Sequence, residues 1–146
     1  MAGWKPHDSI DETRKILTGM IERDEVWGLY HKVDEKLIGT IGLHQRAKRT
    51  SLELGYVLSE DYWGRGLMPE ACNSIIKHAF EDLKIHKLEV YHFDFNAQSR
   101  RVIEKMGFVY EGTKRDEILK NDGTYIDSLC YSMLSNEYID KIKEEA

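Results

Sequence analysis

No apolar run in this 146-residue chain approaches the ~20 residues that a membrane span needs, and no signal-peptide pattern is visible. Cysteine is scarce. Cys72 and Cys130 lack CxxC spacing and sit among apolar neighbours, so a disulfide framework is excluded, and buried core thiols are expected ahead of a nucleophile or a ligand. The six histidines are scattered without metal-site spacing, so no metal is expected. Excess positive charge is lacking too: 21 Lys plus Arg against 26 Asp plus Glu gives −5, which excludes a nucleic-acid surface built on bulk basicity and suits a cationic partner. There are only two prolines, both where helices can begin, and no repeat or Pro/Gly/Ser linker, so residues 1–146 are read as one domain. A domain of that size buries roughly 70% of the surface its unfolded chain exposes. A cytoplasmic protein with reduced thiols, without membrane or nucleic-acid partners, is the expectation.

What is present is a regular alternation of two periods. Ser9 and Glu12 have the form of a capping box, and Ile10, Ile16, Leu17, Met20 and Ile21 then recur at helical spacing to about Arg23. Residues 26–32 and 36–45 read as a hairpin around "VDEK", and residues 51–58 alternate as a third strand. Residues 67–83 read as a helix, 87–95 as a strand, 97–106 as a short helix ended by Gly107, and 108–118 with 124–134 as a closing hairpin around "KNDG". A strand–helix–strand unit of this length makes a right-handed crossover, so the strands at Ser51 and Lys87 should lie parallel within an otherwise antiparallel sheet. The fold class is mixed α/β.

At the third strand-to-helix junction stands "DYWGRGLMPEA", Asp61 to Ala71. The first turn of a helix leaves backbone N–H groups unpartnered in a field of partial positive charge, and an anion fits there. Gly64 and Gly66 remove two Cβ atoms, so a phosphate could approach the main chain, with Arg65 adding a charge; a plain tight turn with an exposed arginine would look the same. A nucleoside-triphosphate loop needs Lys and a hydroxyl after the second glycine, where Leu67 and Met68 stand. A dinucleotide fingerprint needs a third small residue, where Pro69 stands. A diphosphate whose arm runs along the preceding strand is left.

"LELGYVLSEDYWGRGLMPEA", "NAQSRRVIEKMGFVYEG" and "YIDSLCYSML" together resemble the GNAT N-acetyltransferase superfamily, in its ribosomal-protein N-terminal acetyltransferase-like (RimJ/RimL-like) branch, from about Trp4 to Leu134. The resemblance implies acetyl-CoA as cosubstrate. Its diphosphate would lie on Trp63, Gly64, Arg65, Gly66 and Leu67, and its pantetheine arm along Tyr56, Val57 and Leu58. The sheet would splay between the two parallel strands, with Asn96 at the splay bonding the pantetheine or capping the third helix. Two departures stand out: Asp61 occupies a place often held by Gln or Arg, and an amino-terminal strand ahead of "GWKPHDSIDET" is expected to be missing.

Acetyl transfer needs a neutral amine. At pH 7 an α-amine of pKa near ~8 costs about 1 kcal/mol to deprotonate, and a lysine-like amine near ~10.4 costs about 4.6 kcal/mol. By family position Glu53 is the carboxylate for that task, with a solvated strand glutamate as the alternative; His92 and Asp94 could line the same opening or be structural. Many superfamily members protonate the departing thiolate with a tyrosine four residues before the "GF" glycine, but Ile103 stands there, and the resemblance implies Ser99 instead. A strand N–H near Val57 would meet the oxyanion. Arg100 and Arg101 are candidates for the CoA 3′-phosphate or for solvated helix charges, and Asp127 for a structural hydrogen bond. The activity implied is direct transfer to a protein N-terminus or a small amine in a ternary complex; the alternative is a catalytically weak acyl-CoA-binding module. A homodimer through the closing hairpin is implied by analogy.

Overall fold

The structure, a computed structural model, describes residues 6–45 and 50–146. Trp4, where the resemblance begins, lies outside the described residues. Helix α1 (Ile10–Arg23) starts at Ser9 as anticipated, with Ser9 Oγ accepting from the Glu12 amide at 3.1 Å, but the expected capping box is not closed: the Glu12 carboxylate accepts from the Asp8 amide at 2.6 Å, one residue before the N-cap. Strands β1 (Val26–His31), β2 (Lys36–Gln45) and β3 (Ser51–Leu58) follow as an antiparallel meander. Helix α2 (Leu67–Lys77) then leads to β4 (Lys87–Phe93), α3 (Ala97–Lys105), β5 (Val109–Leu119), β6 (Tyr125–Leu134) and α4 (Ser135–Glu145).

The six strands are ordered β1-β2-β3-β4-β6-β5, and only β3 and β4 run parallel, as the crossover rule requires. Side chains alternate across the sheet. Ile41, Leu43, Leu54, Leu88, Val90 and Met133 are all buried in one core with Met68, Cys72 and Ile76 of α2 and Val102 and Ile103 of α3. On β2 and β3 the opposite face presents Thr40, Gly42 and His44 beside their cross-strand partners Val57, Gly55 and Glu53. Among the described residues no helix is long and apolar enough to cross a membrane.

Three further readings of the sequence change. The helix expected over residues 67–83 is α-helical only to Lys77 and closes in a π-helical turn, His78–Asp82, where the Leu83 amide donates to the His78 carbonyl and His78 Nδ1 lies 2.7 Å from Asp82 Oδ2. The strand expected over 87–95 ends at Phe93, because the Asn96 amide turns back to donate to the Phe93 carbonyl; Asp94 therefore follows the strand instead of alternating on it. Helix α4 was not anticipated. Its Tyr138 stacks on Phe80 with ring centroids 5.0 Å apart, and its hydroxyl donates to Glu81 at 2.6 Å, so tertiary contacts hold an otherwise polar segment.

Candidate active site

The parallel ladder is short. β3 and β4 pair only from Ser51↔Lys87 to Leu54↔Val90, yet each stays paired on its outer side, β3 with β2 as far as Leu58 and β4 with β6 as far as Phe93. Beyond Leu54 and Val90 the sheet therefore divides into two diverging halves. A cavity of about 1150 Å³ occupies the divergence, with Gly55, Tyr56 and Val57 on one wall and Tyr91, His92 and Phe93 on the other. The edge of Gly55–Leu58 that faces β4 is not paired with it, so polar backbone lines this wall.

Towards α2 the cavity reaches Trp63 and Met68, which bracket the glycine turn. Gly64 and Gly66 adopt left-handed φ values of 72° and 75°, which a residue with a Cβ rarely takes. A Cβ built at either would find nothing within 4 Å, so the approach to this main chain is open. Among the described residues no acceptor is found for the amides of Gly64, Arg65, Gly66 or Leu67. The turn is held from outside: the Trp63 indole N–H donates to the Leu58 carbonyl at 2.9 Å, and the Tyr62 hydroxyl donates to Asp34. Arg65 joins this scaffold, its guanidinium donating to the Asp61 carbonyl at 2.8 Å and lying 4.9 Å from the Tyr62 ring centre. Its charge thus sits beside the turn, braced against it. Bare amides in an open cradle fit a diphosphate.

The start of α3 supplies the second cluster. Asn96 is the N-cap, its Oδ1 accepting from the Ser99 amide at 3.0 Å. This fixes buried Ser99, whose Oγ shares a 2.8 Å hydrogen bond with the Tyr56 hydroxyl. Burial pushes the Tyr56 phenol well above its ordinary range, against a smaller opposite effect of the Ser99 bond, so at neutral pH it stays protonated and either hydroxyl can donate to the other. Sequence reasoning assigned Tyr56 only a backbone role along the arm. Its parity with Leu52 and Leu54, which aims it at the helices, was the signal for this contact. Ile103, in the position where a tyrosine was sought, is 1% exposed and belongs to the core.

The remaining candidates separate. Glu53 lines the cavity and is half-buried. His92 also lines it but is structural in its contacts, with Nδ1 2.8 Å from the Phe93 carbonyl and Nε2 3.2 Å from the Tyr131 hydroxyl. Asp127 accepts from the Asp116 amide at 2.9 Å, steadying a residue held at φ 51°. Arg100 is engaged by Glu104 at 2.8 Å, and Arg101 is exposed beside it. Cys72 is fully buried and its thiol is pushed up to about 12, whereas Cys130 is half-buried. On the far wall the cavity is completed by Lys114, Glu117 and Ile118 of β5, and on β2 by His44. None of these carried a sequence signal, because the topology alone brings them to the opening.

Residues 1–109 match the Acetyltransferase (GNAT) domain. The probable N-acetyltransferase YjcK of Bacillus subtilis is 34% identical over 134 residues, 87% of this chain and 74% of that protein. The putative ribosomal N-acetyltransferase YdaF of the same organism is 34% identical over 106 residues, 72% of this chain and 57% of that protein. The chain thus spans between about half and three quarters of the length of these relatives. A solved structure of a probable acetyltransferase, 30% identical, superposes with a TM-score of 0.80 over 92% of this chain and 77% of its own.

Proposed function

This chain belongs to the GNAT acetyltransferase family, and from that premise we propose that it transfers the acetyl group of acetyl-CoA directly to a primary amine, both substrates being bound together. The observation that carries the reading is the divergence of β3 and β4, whose cavity reaches Trp63 and Met68 on either side of the bare amides of residues 64–67. The diphosphate is gripped by those amides, and the pantetheine arm runs along the unpaired edge of Tyr56–Leu58, so that the thioester reaches the apex of the divergence. Asn96 holds the start of α3, and Ser99 Oγ donates a proton to the departing thiolate, with the Tyr56 hydroxyl as its partner. A strand N–H beside Val57, on the edge of β3 that faces β4, is the candidate donor to the oxyanion, and Arg101 with Arg100 are the candidates for the 3′-phosphate.

The acceptor is a protein N-terminus or a small amine. Glu53, Glu60, Asp61 and Glu117 around the cavity suit an acceptor that arrives as a cation, and the relationship to YdaF supports a ribosomal-protein N-terminus. A cytoplasmic location belongs to the same reading, as does homodimerisation through the β5–β6 hairpin, whose outer strand is exposed along most of its length. The test is calorimetry with acetyl-CoA, followed by thiol release with an alanine-starting peptide and with spermidine. Amine-dependent release supports the proposal; tight binding of acetyl-CoA without release identifies an acyl-CoA-binding module instead.

A further inference from the structure

One group at the apex of the divergence has no part in the assignments above. His44, on β2, faces the same side of the sheet as Glu53, its cross-strand partner, and lines the cavity. Its imidazole lies over two glycines that themselves pair across β2 and β3, Gly42 and Gly55. A Cβ built at Gly42 would lie 3.1 Å from Cε1 and Nε2 of the ring, and one at Gly55 would lie 3.2 Å from Nε2. Nε2 is therefore the ring atom suspended above this pair, and the missing Cβ atoms make its seat. Gly55 is also the first residue of β3 beyond the last pairing with β4, so Nε2 stands at the point where the two halves of the sheet part. On the other side of the ring, Nδ1 is 3.6 Å from Glu25 Oε2, and the His44 side chain keeps 46% of its surface exposed. Among the described residues the charged groups facing the ring are Glu25, from the link between α1 and β1, and Glu53 of β3; α1 contributes apolar Met20 to the same cavity.

We propose that His44 is the base that receives the proton of the acceptor ammonium at Nε2, with Glu25 beside Nδ1 to offset the charge that the imidazole gains. The assignment rests on the transfer reading given above. An ammonium N–H bond breaks and its proton passes to Nε2; the freed nitrogen lone pair forms the bond to the thioester carbon. The C–S bond then breaks with its electron pair on sulfur, and the second proton lost by the nitrogen is balanced by the one that sulfur takes up. The imidazolium, neutralised by Glu25, returns its proton to water through its exposed edge. Imidazole suits this task because its unperturbed pKa lies near neutrality, whereas an ordinary carboxylate is a far weaker base.

The test compares wild type, His44→Gln and Glu53→Gln for kcat/KM with an alanine-starting peptide from pH 6.5 to 9.5, with acetyl-CoA affinity from calorimetry. His44→Gln is expected to lose roughly tenfold at pH 7, where only about a tenth of an α-amine of pKa near ~8 is neutral without help. The deficit should shrink towards pH 9.5, where an α-amine of pKa near ~8 supplies its own neutral form. Acetyl-CoA affinity should stay within about twofold, because no phosphate or pantetheine contact is assigned to β2. A profile matching wild type, a deficit equal at every pH, or a pH-dependent deficit carried by Glu53→Gln alone overturns the role of His44 and leaves the transfer reading standing. A wild type that binds acetyl-CoA but releases no thiol with any amine overturns the transfer reading itself, and this assignment with it.

Discussion

Replacing Gly64 by valine separates what the glycine turn does for folding from what it does for a ligand. At φ 72° a side chain forces the left-handed region, which costs roughly 1–2 kcal/mol. No clash of the Cβ with the rest of the fold is added, since a Cβ there meets nothing within 4 Å. At roughly 2–4 °C per kcal/mol the melting temperature falls by only a few degrees, and the domain still folds. Binding is a different matter. The valine methyls occupy the space through which a phosphate oxygen reaches the amides of residues 64–67, and one charge-assisted hydrogen bond is worth about 1.5–3 kcal/mol, or roughly a ten- to hundredfold loss of acetyl-CoA affinity. Gly123→Val supplies the control: Gly123 in the β5–β6 turn has φ 85° and equally open surroundings, but stands outside the cavity. Calorimetry and thermal melts on both variants decide. Unchanged affinity in Gly64→Val, or an equal loss in Gly123→Val, refutes the assignment of the turn to the diphosphate.

Ser99→Ala should lower kcat about tenfold with acetyl-CoA affinity nearly unchanged, a modest loss because a thiol of pKa near ~8.5 is already a fair leaving group; equal losses in both would make Ser99 a binding residue. Tyr56→Phe keeps Ser99 and should lose less turnover, while costing about 1 kcal/mol of stability in a urea titration. In native protein a thiol reagent should titrate no more than Cys130, with Cys72 reacting only after denaturation; rapid reaction of both would contradict the burial and suppressed ionisation of Cys72. Burial, and then the bond to Glu81, push the Tyr138 phenol from the ordinary 10.0 up to about 12, so the folded state keeps a proton that the unfolded chain loses. Its contribution is intact below pH 10 and disappears as pH rises from 10 to 12. Tyr56 and Tyr131 are shifted the same way, so the difference between wild type and Tyr138→Phe isolates it, and parallel curves above pH 10 would refute it.

Most of the fold was legible because its signals are local. The N-cap at Ser9, the alternation from Ser51 to Leu58 and Gly107 after α3 each act within a few residues, and the parallel pair follows from the handedness of one crossover. Helix α4 was hidden for the opposite reason: its anchors are Phe80 and Glu81, more than 50 positions away in the chain. The site divides in the same way. Gly64, Gly66 and the Asn96–Ser99 cap are contiguous motifs and could be read directly. The Tyr56–Ser99 bond joins residues 43 apart, and the seating of His44 depends on two glycines facing each other across strands, so neither leaves a pattern in the linear sequence.

The alternation of β3 has a practical corollary for redesign. Because Tyr56 contacts α3 while Gly55 sits under His44 on the reverse side, adjacent codons address separate compartments. On the proposed reading, changes at Gly55 or Lys114 are expected to act on the acceptor side and changes at Tyr56 or Met68 on the donor side. A library partitioned by odd and even positions along this one ribbon would sample the two specificities almost orthogonally.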